Sequence, residues 1–416
     1  MGKVAWTKDG YENPVTSNGL TSIETIKRND TMESSMNRFT LDGDSDVEQR
    51  IAMDQQLIAK QVLQAVPAEH FVALILMGGY GRGEGGYIMH DSSPEPYNDY
   101  DYFLVVNGMT QRKARRFQQD LQPLAHQLSD EVGIEVDLAV LRREQLPVLP
   151  FTLMNAEMQW GHRVIAGDID VLGSMPEMPL EKLAKGEFVR LMNNRGALLL
   201  LNARQLASKG EDMTQEERAV FFKYLYKAVL ASGDALLAAN DCYHASYVRK
   251  LERIKSLKQL PARNFVELYE KAINQKFHPD HAAHRGQDLA HWQNRVVSYW
   301  LQTLSYFETR RLGTEMSDWN AYSSSAIPKG QLESSTMVRN LLITMRDYGV
   351  AHSLRHFSWS LRYPRERLIA VLPGLLTCAN SNLEVPCNYT IPLGLDHKPS
   401  WSESVELYLG AWARYA

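Results

Sequence analysis

The sequence predicts a mixed α/β core followed by a large, all-helical region. Three observations support this fold class: short apolar runs bounded by turn residues, a helical segment between two of those runs, and helical periodicity throughout the second half. We assign the core to residues 45–177 and the helical region to residues 178–416, with a subdivision near 320–332. Residues 1–44 are polar, and we expect an irregular arm with a short helix near 22–27.

The core should begin with a helix and continue with strands. Ser45 and Glu48 have the spacing of a capping box, so we expect the helix to begin at Ser45. Its apolar stripe consists of Ile51, Ile58, Val62 and Ala65. Strands are predicted at 71–77, 100–106, 134–141 and 163–166. A helix between the second and third strands makes a β-α-β unit, and Pro123 should kink or divide that helix.

The second half of the chain has apolar residues at helical spacing. Helices are predicted at 180–208, 214–240, 243–257, 262–276, 288–312, 335–347, 352–361 and 365–379. Thr214 and Glu217 form a second capping box. The last segment, 380–416, contains Pro386, Pro392 and Pro399 and closes with apolar and aromatic residues. We expect this tail to dock on the helical region.

Composition excludes several classes of protein. A net charge of −4 over 416 residues argues against a protein that mainly coats nucleic acid. Three scattered cysteines are too few for a disulfide framework or a zinc site, and reduced thiols are the better interpretation. The N-terminus lacks the apolar core of a signal peptide, and no apolar run approaches the ~18 residues of a membrane span. We therefore expect a soluble, cytoplasmic protein without a membrane partner.

The most informative segment lies between residues 76 and 106. A strand runs into the glycine-rich turn at 78–83, and a second strand opens with Asp99 and Asp101. Because side chains alternate along a strand, these two carboxylates face the same way. Asp137 lies in the next strand, and if the two strands are neighbours the three carboxylates should converge.

Carboxylates beside such a turn predict a site for a nucleoside triphosphate and metal. Mg²⁺ prefers oxygen ligands and is typically held by one or two carboxylates together with substrate phosphates. Two ions can clamp the attacking and leaving oxygens of a displacement, and Mn²⁺ is an alternative. Glycines let the backbone approach phosphate closely, so Gly78, Gly79, Tyr80, Gly81 and Arg82 are candidate nucleotide-binding residues, with their N–H groups forming an anion-binding nest.

This constellation resembles the nucleotidyltransferase superfamily of DNA polymerase β. The family pattern is a Gly-Ser or Gly-Gly turn after a strand, then two acids in a second strand, then a strand acid; here these are Gly78-Gly79, Asp99 and Asp101, and Asp137. The segment GGYGRGE is most similar to the corresponding segments of bacterial uridylyl- and adenylyltransferases that modify regulatory proteins. Two departures are Gly79 at the usual serine position and an insert around 87–97.

The resemblance implies a nucleotidyltransferase with Asp99, Asp101 and Asp137 as catalytic, metal-binding residues. Asp137 would also help to activate an acceptor hydroxyl as a general base, and pyrophosphate would be released. The helical region would select the acceptor. A small molecule or a protein is favoured over an RNA end because the chain is nearly neutral. The preferred NTP and the oligomeric state are left open.

Three basic residues are open to two interpretations each. Arg82 can reach a triphosphate bidentately or brace the turn, with Glu84 as its partner. Lys223 and Lys227 lie on a predicted helix where the resemblance implies a lysine near the triphosphate. The ordinary alternative for both lysines is a charged outer face.

Histidines at 278, 281 and 284 invite a metal-site interpretation through their three-residue spacing. Pro279 and Gly286 interrupt the segment, and no cysteine or clear acid set completes a site. We therefore favour a solvated loop.

Two other functional classes compete with the enzyme. The first is a catalytically weak nucleotide-binding protein with a regulatory or antitoxin-like role. The second is a plain helical scaffold in which the acids are unpaired surface residues. Mg²⁺-dependent turnover of NTP separates the enzyme from both.

Overall fold

The computed structural model describes residues 38–415 except 91–92, 261–263, 281, 317, 325–334, 380–384 and 398. The strands are β1 (Phe71–Leu76), β2 (Tyr87–His90), β3 (Ser93–Pro96), β4 (Tyr100–Val106), β5 (Val136–Arg142) and β6 (Arg163–Gly167). The helices of the first half are α1 (Ser45–Ala65), α2 (Gly78–Gly81), α3 (Gln111–Asp120), α4 (Gln122–Val132) and α5 (Leu153–Trp160).

The second half is helical, as predicted. Its α-helices are α6 (Lys185–Lys209), α7 (Gln215–Ala239), α8 (Tyr247–Ser256), α9 (Phe265–Phe277), α10 (Leu289–Leu312), α11 (Trp319–Ser324), α12 (Met337–Tyr348), α13 (Val350–Arg355), α14 (Phe357–Ser360), α15 (Pro364–Cys378), α16 (Cys387–Thr390) and α17 (Trp401–Tyr415). None of the described helices is long and apolar enough to cross a membrane. The predicted helix near 22–27 and most of the proposed subdivision near 320–332 lie outside the described residues.

A four-stranded mixed sheet forms the core, in the order β5-β4-β1-β6. Strand β1 runs antiparallel to β4 and β6, whereas β4 and β5 are parallel. The predicted β-α-β unit is confirmed, and the connecting helix divides at Leu121, two residues before Pro123. Strands β2 and β3 form a separate antiparallel hairpin from the insert predicted around 87–97.

The sheet is covered on both faces. Leu74, Tyr102 and Leu138 belong to one hydrophobic cluster together with Ile51 of α1 and Leu128 of α4. Residues of the opposite face, including Ile75, Phe103 and Val105, belong to a second cluster that continues into α6, α7 and α10. The alternation of side chains along β4 therefore directs every second residue toward the helical region.

The predicted start of α1 at Ser45 is confirmed, but the predicted N-cap is wrong by one residue. Asp44, rather than Ser45, is the N-cap, and its Oδ1 accepts hydrogen bonds from the backbone N–H groups of Asp46 and Val47, at 3.1 Å each. Glu48 does not complete a box with Ser45. Its carboxylate instead accepts bonds from the N–H groups at positions 39 and 40, at 2.7 and 2.9 Å, which ties the end of the N-terminal arm to the helix.

The apolar stripe of α1 is confirmed except at its end. Ile51, Ile58 and Val62 are buried against the sheet, but Ala65 is exposed and Val66 is buried instead. Val66 is the residue after the helix, and its N–H donates to the Val62 carbonyl oxygen at 3.0 Å, so it follows Val62 on the same side, whereas Ala65 is turned away.

Several predictions for the helical region are confirmed. Thr214 caps α7 with Glu217 in the expected capping box. The C-terminal tail docks as expected: the Trp401 indole N–H donates to the Leu375 carbonyl at 2.9 Å, and the Tyr408 hydroxyl donates to Asn193 Oδ1 at 3.1 Å.

The predicted helix at 352–361 is wrong. The chain forms two short helices, α13 and α14, with His356 between them at φ −112° and ψ 49°. Gly349 precedes α13 at φ +84°, a conformation that L side chains rarely adopt. The break at His356 turns the chain and changes the direction of the following side chains.

Candidate active site

The glycine-rich segment forms one tight helical turn rather than an open loop. Gly78 has φ +66°, and a Cβ at this position would lie 2.8 Å from Asp101 Oδ2. A Cβ at Gly79 would lie 2.8 Å from the backbone carbonyl oxygen of Glu84. The absence of a serine at position 79 follows from this close approach, because a side chain there would collide with backbone.

The predicted anion-binding nest is largely used by the turn itself. The N–H groups of Gly81 and Arg82 donate to the carbonyl oxygens of Met77 at 3.0 Å and Gly78 at 3.3 Å, and the Glu84 N–H donates to Gly79 O at 2.7 Å. A nest that includes the Gly81 and Arg82 N–H groups is therefore a wrong expectation, since these donors already have partners.

Tyr80 and Gly81 lie outside the cavity that Gly78, Gly79 and Arg82 help to line. The Tyr80 side chain is buried, and its hydroxyl donates to Gly86 O at 2.6 Å and accepts from the Tyr97 N–H at 3.0 Å. We therefore assign Tyr80 to the structural connection between the turn and the β2–β3 hairpin, not to nucleotide contact.

The acids come from neighbouring strands, as the sequence suggested. Asp101 of β4 is the direct register partner of Asp137 of the parallel strand β5. Asp101 lies on the β4 face that is directed toward the helical region, and Asp99 precedes it by two residues. Burial raises the pKa of Asp101 to about 6, and the charges of Asp99 and Asp137 add to this effect. The three carboxylates are thus close enough to repel one another.

The carboxylates do not form a closed three-ligand set. Among the described residues, three metal-ligating side chains with donor atoms within 4.8 Å of one another occur elsewhere, at His352, His356 and Asp396. The expected single point shared by three acids is therefore not formed: Asp99 and Asp101 line the cavity, whereas Asp137 is exposed and is not among the lining residues. Mutual repulsion of uncompensated carboxylates opposes closer approach.

Lys223 and Lys227 of α7 face these acids across the cavity. The Lys223 Nζ lies 3.8 Å from Asp99 Oδ1 and 5.5 Å from the centre of the Tyr97 ring. Burial acts to raise the pKa of Asp99, but Lys227 and Lys223 outweigh it and hold the pKa below its usual value. Both lysines therefore lie on the cavity side of their helix rather than on a plain outer face.

Lys276 is a third lysine of the site that sequence reasoning missed. Burial lowers its pKa to about 8, and the nearby Arg82 adds to this effect. Its backbone carbonyl accepts a hydrogen bond from Asn98 Nδ2 at 3.2 Å, which joins the end of α9 to the residue before Asp99. Lys276 lies in an ordinary amphipathic helix, so no local motif indicated it.

Arg82 lines the cavity and also braces the turn. Its side chain is 6% exposed, and its Nη1 lies 3.6 Å from Glu157 Oε2. Burial acts to lower the pKa of Arg82, but Glu157 and Glu84 raise it above its usual value. Glu84 in turn accepts hydrogen bonds from the Ser246 hydroxyl at 2.5 Å and the Tyr247 N–H at 3.1 Å. The predicted bracing partner Glu84 thus links the turn to α8.

A buried ion pair fixes α8 to α7 behind the cavity. Lys250 is 1% exposed, and its Nζ lies 2.8 Å from Asp234 Oδ1 and 3.8 Å from Glu157 Oε1. Burial acts to lower the pKa of Lys250, but Asp234 and other neighbours raise it, so the ammonium stays charged. Glu157 joins this pair to Arg82, a connection through space that no sequence spacing reveals.

The cavity between the sheet and the helices has a volume of about 780 Å³. Such a volume is typical of ligand-binding clefts. Its lining carries charges of both signs. The acids are Asp99, Asp101, Glu157, Glu187 and Asp234, and the cationic side chains are Arg82, Arg190, Arg195, Lys223, Lys227, Lys276 and Arg365. An anionic ligand that brings its own cations is chemically matched to a lining that holds both cationic side chains and carboxylates.

The histidine segment forms no shared site among its described members. The His278 Nε2 lies 3.0 Å from Asp42 Oδ2, whereas His284 is buried and stacks on Phe222 with ring centres 4.0 Å apart. The solvated-loop prediction is therefore wrong for His284, which packs as a core aromatic residue. His281 lies outside the described residues.

In comparisons with known proteins, no family model, curated protein or solved structure matches this chain.

Proposed function

We propose that the chain is a metal-dependent nucleotidyltransferase with a core like that of the DNA polymerase β superfamily. It would transfer a nucleoside monophosphate from an NTP to an acceptor hydroxyl and release pyrophosphate. The observation that carries the proposal is that Asp99 and Asp101 line one cavity of about 780 Å³ together with Lys223, Lys227 and Lys276, whose charges act on Asp99. A polyanion would match the lysines and a divalent cation would match Asp99 and Asp101, whereas either ligand alone would match only one of these two sets of charges.

The acids suit Mg²⁺ or Mn²⁺ by their chemistry and surroundings. Two carboxylates are an ordinary protein contribution to a Mg²⁺ site, with the remaining ligands from phosphate and water. Gly78 leaves the space next to Asp101 Oδ2 free of any side chain. Asp99 and Asp101 would hold the metal, with Asp137 as the additional ligand if two ions bind, and the ions would neutralise charge developing on the phosphates.

The lysines would bind and orient the triphosphate. Lys223 already lies within 3.8 Å of Asp99, so phosphate binding would exchange one anionic partner for another. Lys227 and Lys276 would contact the same polyanion from their helices. We assign Asp137 the role of accepting the acceptor's proton while the hydroxyl oxygen attacks the α-phosphorus and the bond to pyrophosphate breaks. Positioning and charge neutralisation would supply most of the rate enhancement.

The acceptor would enter from the helical side, where Arg190, Arg195 and Arg365 line the cavity. We retain a small molecule or a protein side chain as the acceptor. The near-neutral net charge of −4 disfavours an RNA end.

A second function is favoured by two observations. The three acids do not bring three donor atoms within 4.8 Å of one another, and Lys223 pairs with Asp99. A catalytically weak protein that binds nucleotide for a regulatory or antitoxin-like role would have this arrangement permanently, whereas an enzyme would rearrange it on binding NTP and metal.

The test is incubation with each α-labelled NTP and Mg²⁺, alone and with cell lysate. Label transfer and pyrophosphate release are expected in the wild type and lost in Asp99→Asn and Asp101→Asn. Asp130→Asn on the exposed face of α4 is the matched control and should keep full activity. Tight NTP binding without transfer in any lysate would favour the binding protein, and transfer that survives both substitutions would exclude the proposed site.

A further inference from the structure

Two histidines and an aspartate meet far along the chain from the proposed nucleotide site. His352 lies in α13, His356 follows it at the break before α14, and Asp396 lies in the loop before α17. The His356 N–H donates to the His352 carbonyl oxygen at 2.9 Å, so one helical turn separates the two residues. A four-residue helical spacing places both rings on the same side of the helix.

Both imidazoles are directed at one carboxylate oxygen. His352 Nδ1 lies 3.1 Å from Asp396 Oδ1, and His356 Nε2 lies 2.7 Å from the same atom. The donor atoms of all three residues lie within 4.8 Å of one another. For Zn²⁺–ligand bonds of about 2.0–2.1 Å, tetrahedral geometry requires neighbouring ligands about 3.3 Å apart, so small adjustments of the side chains would admit an ion.

Surrounding groups hold the ligands in place. The His352 ring is hydrogen-bonded by the backbone of Ile391 and packs edge-on against Tyr348, with ring centres 5.6 Å apart. Arg355 pairs with Asp396 Oδ2 and so orients the other carboxylate oxygen toward the histidines. Partners of this kind fix ring orientation and tautomer in protein metal sites.

The site is closed on one side and open on the other. The side chains of His352, His356 and Asp396 are 8%, 18% and 35% exposed. Three protein ligands with one accessible side leave room for water or an external group as the fourth ligand. Two imidazoles and a carboxylate are ligands that first-row transition metals prefer, whereas Mg²⁺ prefers oxygen ligands alone.

We propose that His352, His356 and Asp396 bind a divalent transition-metal ion, with Zn²⁺ as the first choice. The ion would join α13 and the start of α14 to the loop at 391–396, and so fix this helix pair to the C-terminal part of the chain. The ion would be separate from the proposed nucleotide site, because His352, His356 and Asp396 are not among the residues that line the cavity. The proposal stands independently of nucleotidyl transfer.

The alternative is an ion-pair cluster without metal, in which a protonated histidine bonds to Asp396. The two possibilities differ in their response to added metal. If the three residues bind metal, added metal ions stabilise the folded protein because they bind only to that state. If the residues form an ion pair without metal, added metal ions do not change the stability.

The experiment uses the full, tag-free chain after metal removal, in an Asp101→Asn background so that ions in the cavity do not contribute. Zn²⁺ and Co²⁺ are titrated by calorimetry, by visible ligand-field absorption of Co²⁺ and by thermal unfolding. We expect one ion per chain, a Co²⁺ spectrum of low coordination number and a rise in Tm of several degrees with Zn²⁺.

Two variants and two controls decide the outcome. His356→Gln and Asp396→Asn should each weaken Zn²⁺ binding at least tenfold. Asp396→Asn keeps an oxygen that can accept hydrogen bonds from the histidines, so it tests metal binding even if His356→Gln impairs folding. His291→Gln, at an exposed histidine of α10, should bind as the background does, and Arg355→Gln, which removes an orienting partner but no ligand, should weaken binding less than His356→Gln does. Absence of stoichiometric binding, or equal binding in His356→Gln and His291→Gln, would overturn the proposal and leave the ion-pair cluster.

Discussion

At the scale of single residues, burial of the Asp101 carboxylate has an electrostatic cost that Lys276 and Lys227 offset only in part. Burial raises its pKa to about 6, and Asp99 and Asp137 act in the same direction. A carboxylate with a raised folded-state pKa destabilises the folded chain while it is ionised, and the cost fades as the pH falls through that pKa toward the unfolded value. The same charge is what the proposed metal would require.

We therefore expect Asp101→Asn to stabilise the protein without ligand while abolishing nucleotidyl transfer. The gain at pH 7.5 should be about 1 kcal/mol, after allowance for solvent screening. Urea unfolding of both forms between about pH 7.5 and 4.5 measures it. The difference in the free energy of unfolding should shrink as Asp101 of the wild type takes up a proton near pH 6. A less stable variant at pH 7.5 would show that Asp101 is already compensated.

Lys276 gives a prediction with a defined pH dependence. Burial lowers its pKa to about 8, so its positive charge is present at neutral pH and is lost as the pH rises through that value. NTP affinity of the wild type should thus fall above pH 8. Lys276→Gln should bind NTP about tenfold more weakly at pH 7, in keeping with loss of one charge-assisted contact, and should lack this pH response.

Fluorescence titration with a labelled nucleotide measures both effects. Lys258→Gln, at an exposed lysine, is the matched control and should follow the wild-type curve. If NTP affinity of Lys276→Gln depended on pH as it does in the wild type, the titrating group would not be Lys276.

At the scale of elements, the glycine turn depends on backbone packing that a single methyl group would disturb. A Cβ at Gly79 would approach Glu84 O to 2.8 Å, and backbone cannot rotate away as a side chain can. We expect Gly79→Ala to lower the free energy of unfolding by about 1–3 kcal/mol, the usual cost of overpacking. Gly173→Ala, where a Cβ meets nothing within 4 Å, should change it little. Equal stability of the two variants would contradict the tight-turn geometry.

The start of α1 provides a second test at this scale. Asp44 accepts the capping hydrogen bonds, and Ser45 does not. Asp44→Ala should cost about 1 kcal/mol of stability, the typical value of a lost N-cap, whereas Ser45→Ala should be nearly neutral. Denaturant unfolding compares them directly. A larger loss of stability in Ser45→Ala than in Asp44→Ala would support the capping box that the sequence predicted.

Elements differ in how far local pattern determines them. The strands, the divided helix near Pro123 and the Thr214 cap follow from alternation, proline chemistry and side-chain capping, all of which act over a few residues. The break at His356 was missed because the run at 352–361 has helical spacing throughout, and a turn there is held by distant contacts such as His356 to Asp396. Tertiary contacts override local propensity in such cases.

At the scale of the whole molecule, the cavity joins segments far apart in the chain. The acids and glycines were identified from their order and spacing, and Lys223 and Lys227 from the resemblance. No local sequence pattern indicates Lys276, Glu157 or the pairing of Lys250 with Asp234. These residues come together only when α5, α8 and α9 pack around the glycine turn. Sequence analysis did not identify the pair His352 and Asp396 for the same reason, because the two residues are 44 positions apart.

The central claim is that Asp99 and Asp101 and the facing lysines together bind a metal–triphosphate complex. The most direct measurement is a crystal structure with a non-hydrolysable NTP analogue and Mn²⁺, located by its anomalous signal. The account predicts Mn²⁺ bound by Asp99 and Asp101, with the triphosphate extending along Lys223, Lys227 and Lys276. Nucleotide bound elsewhere, or bound in the cavity with no Mn²⁺ at either aspartate, would contradict it.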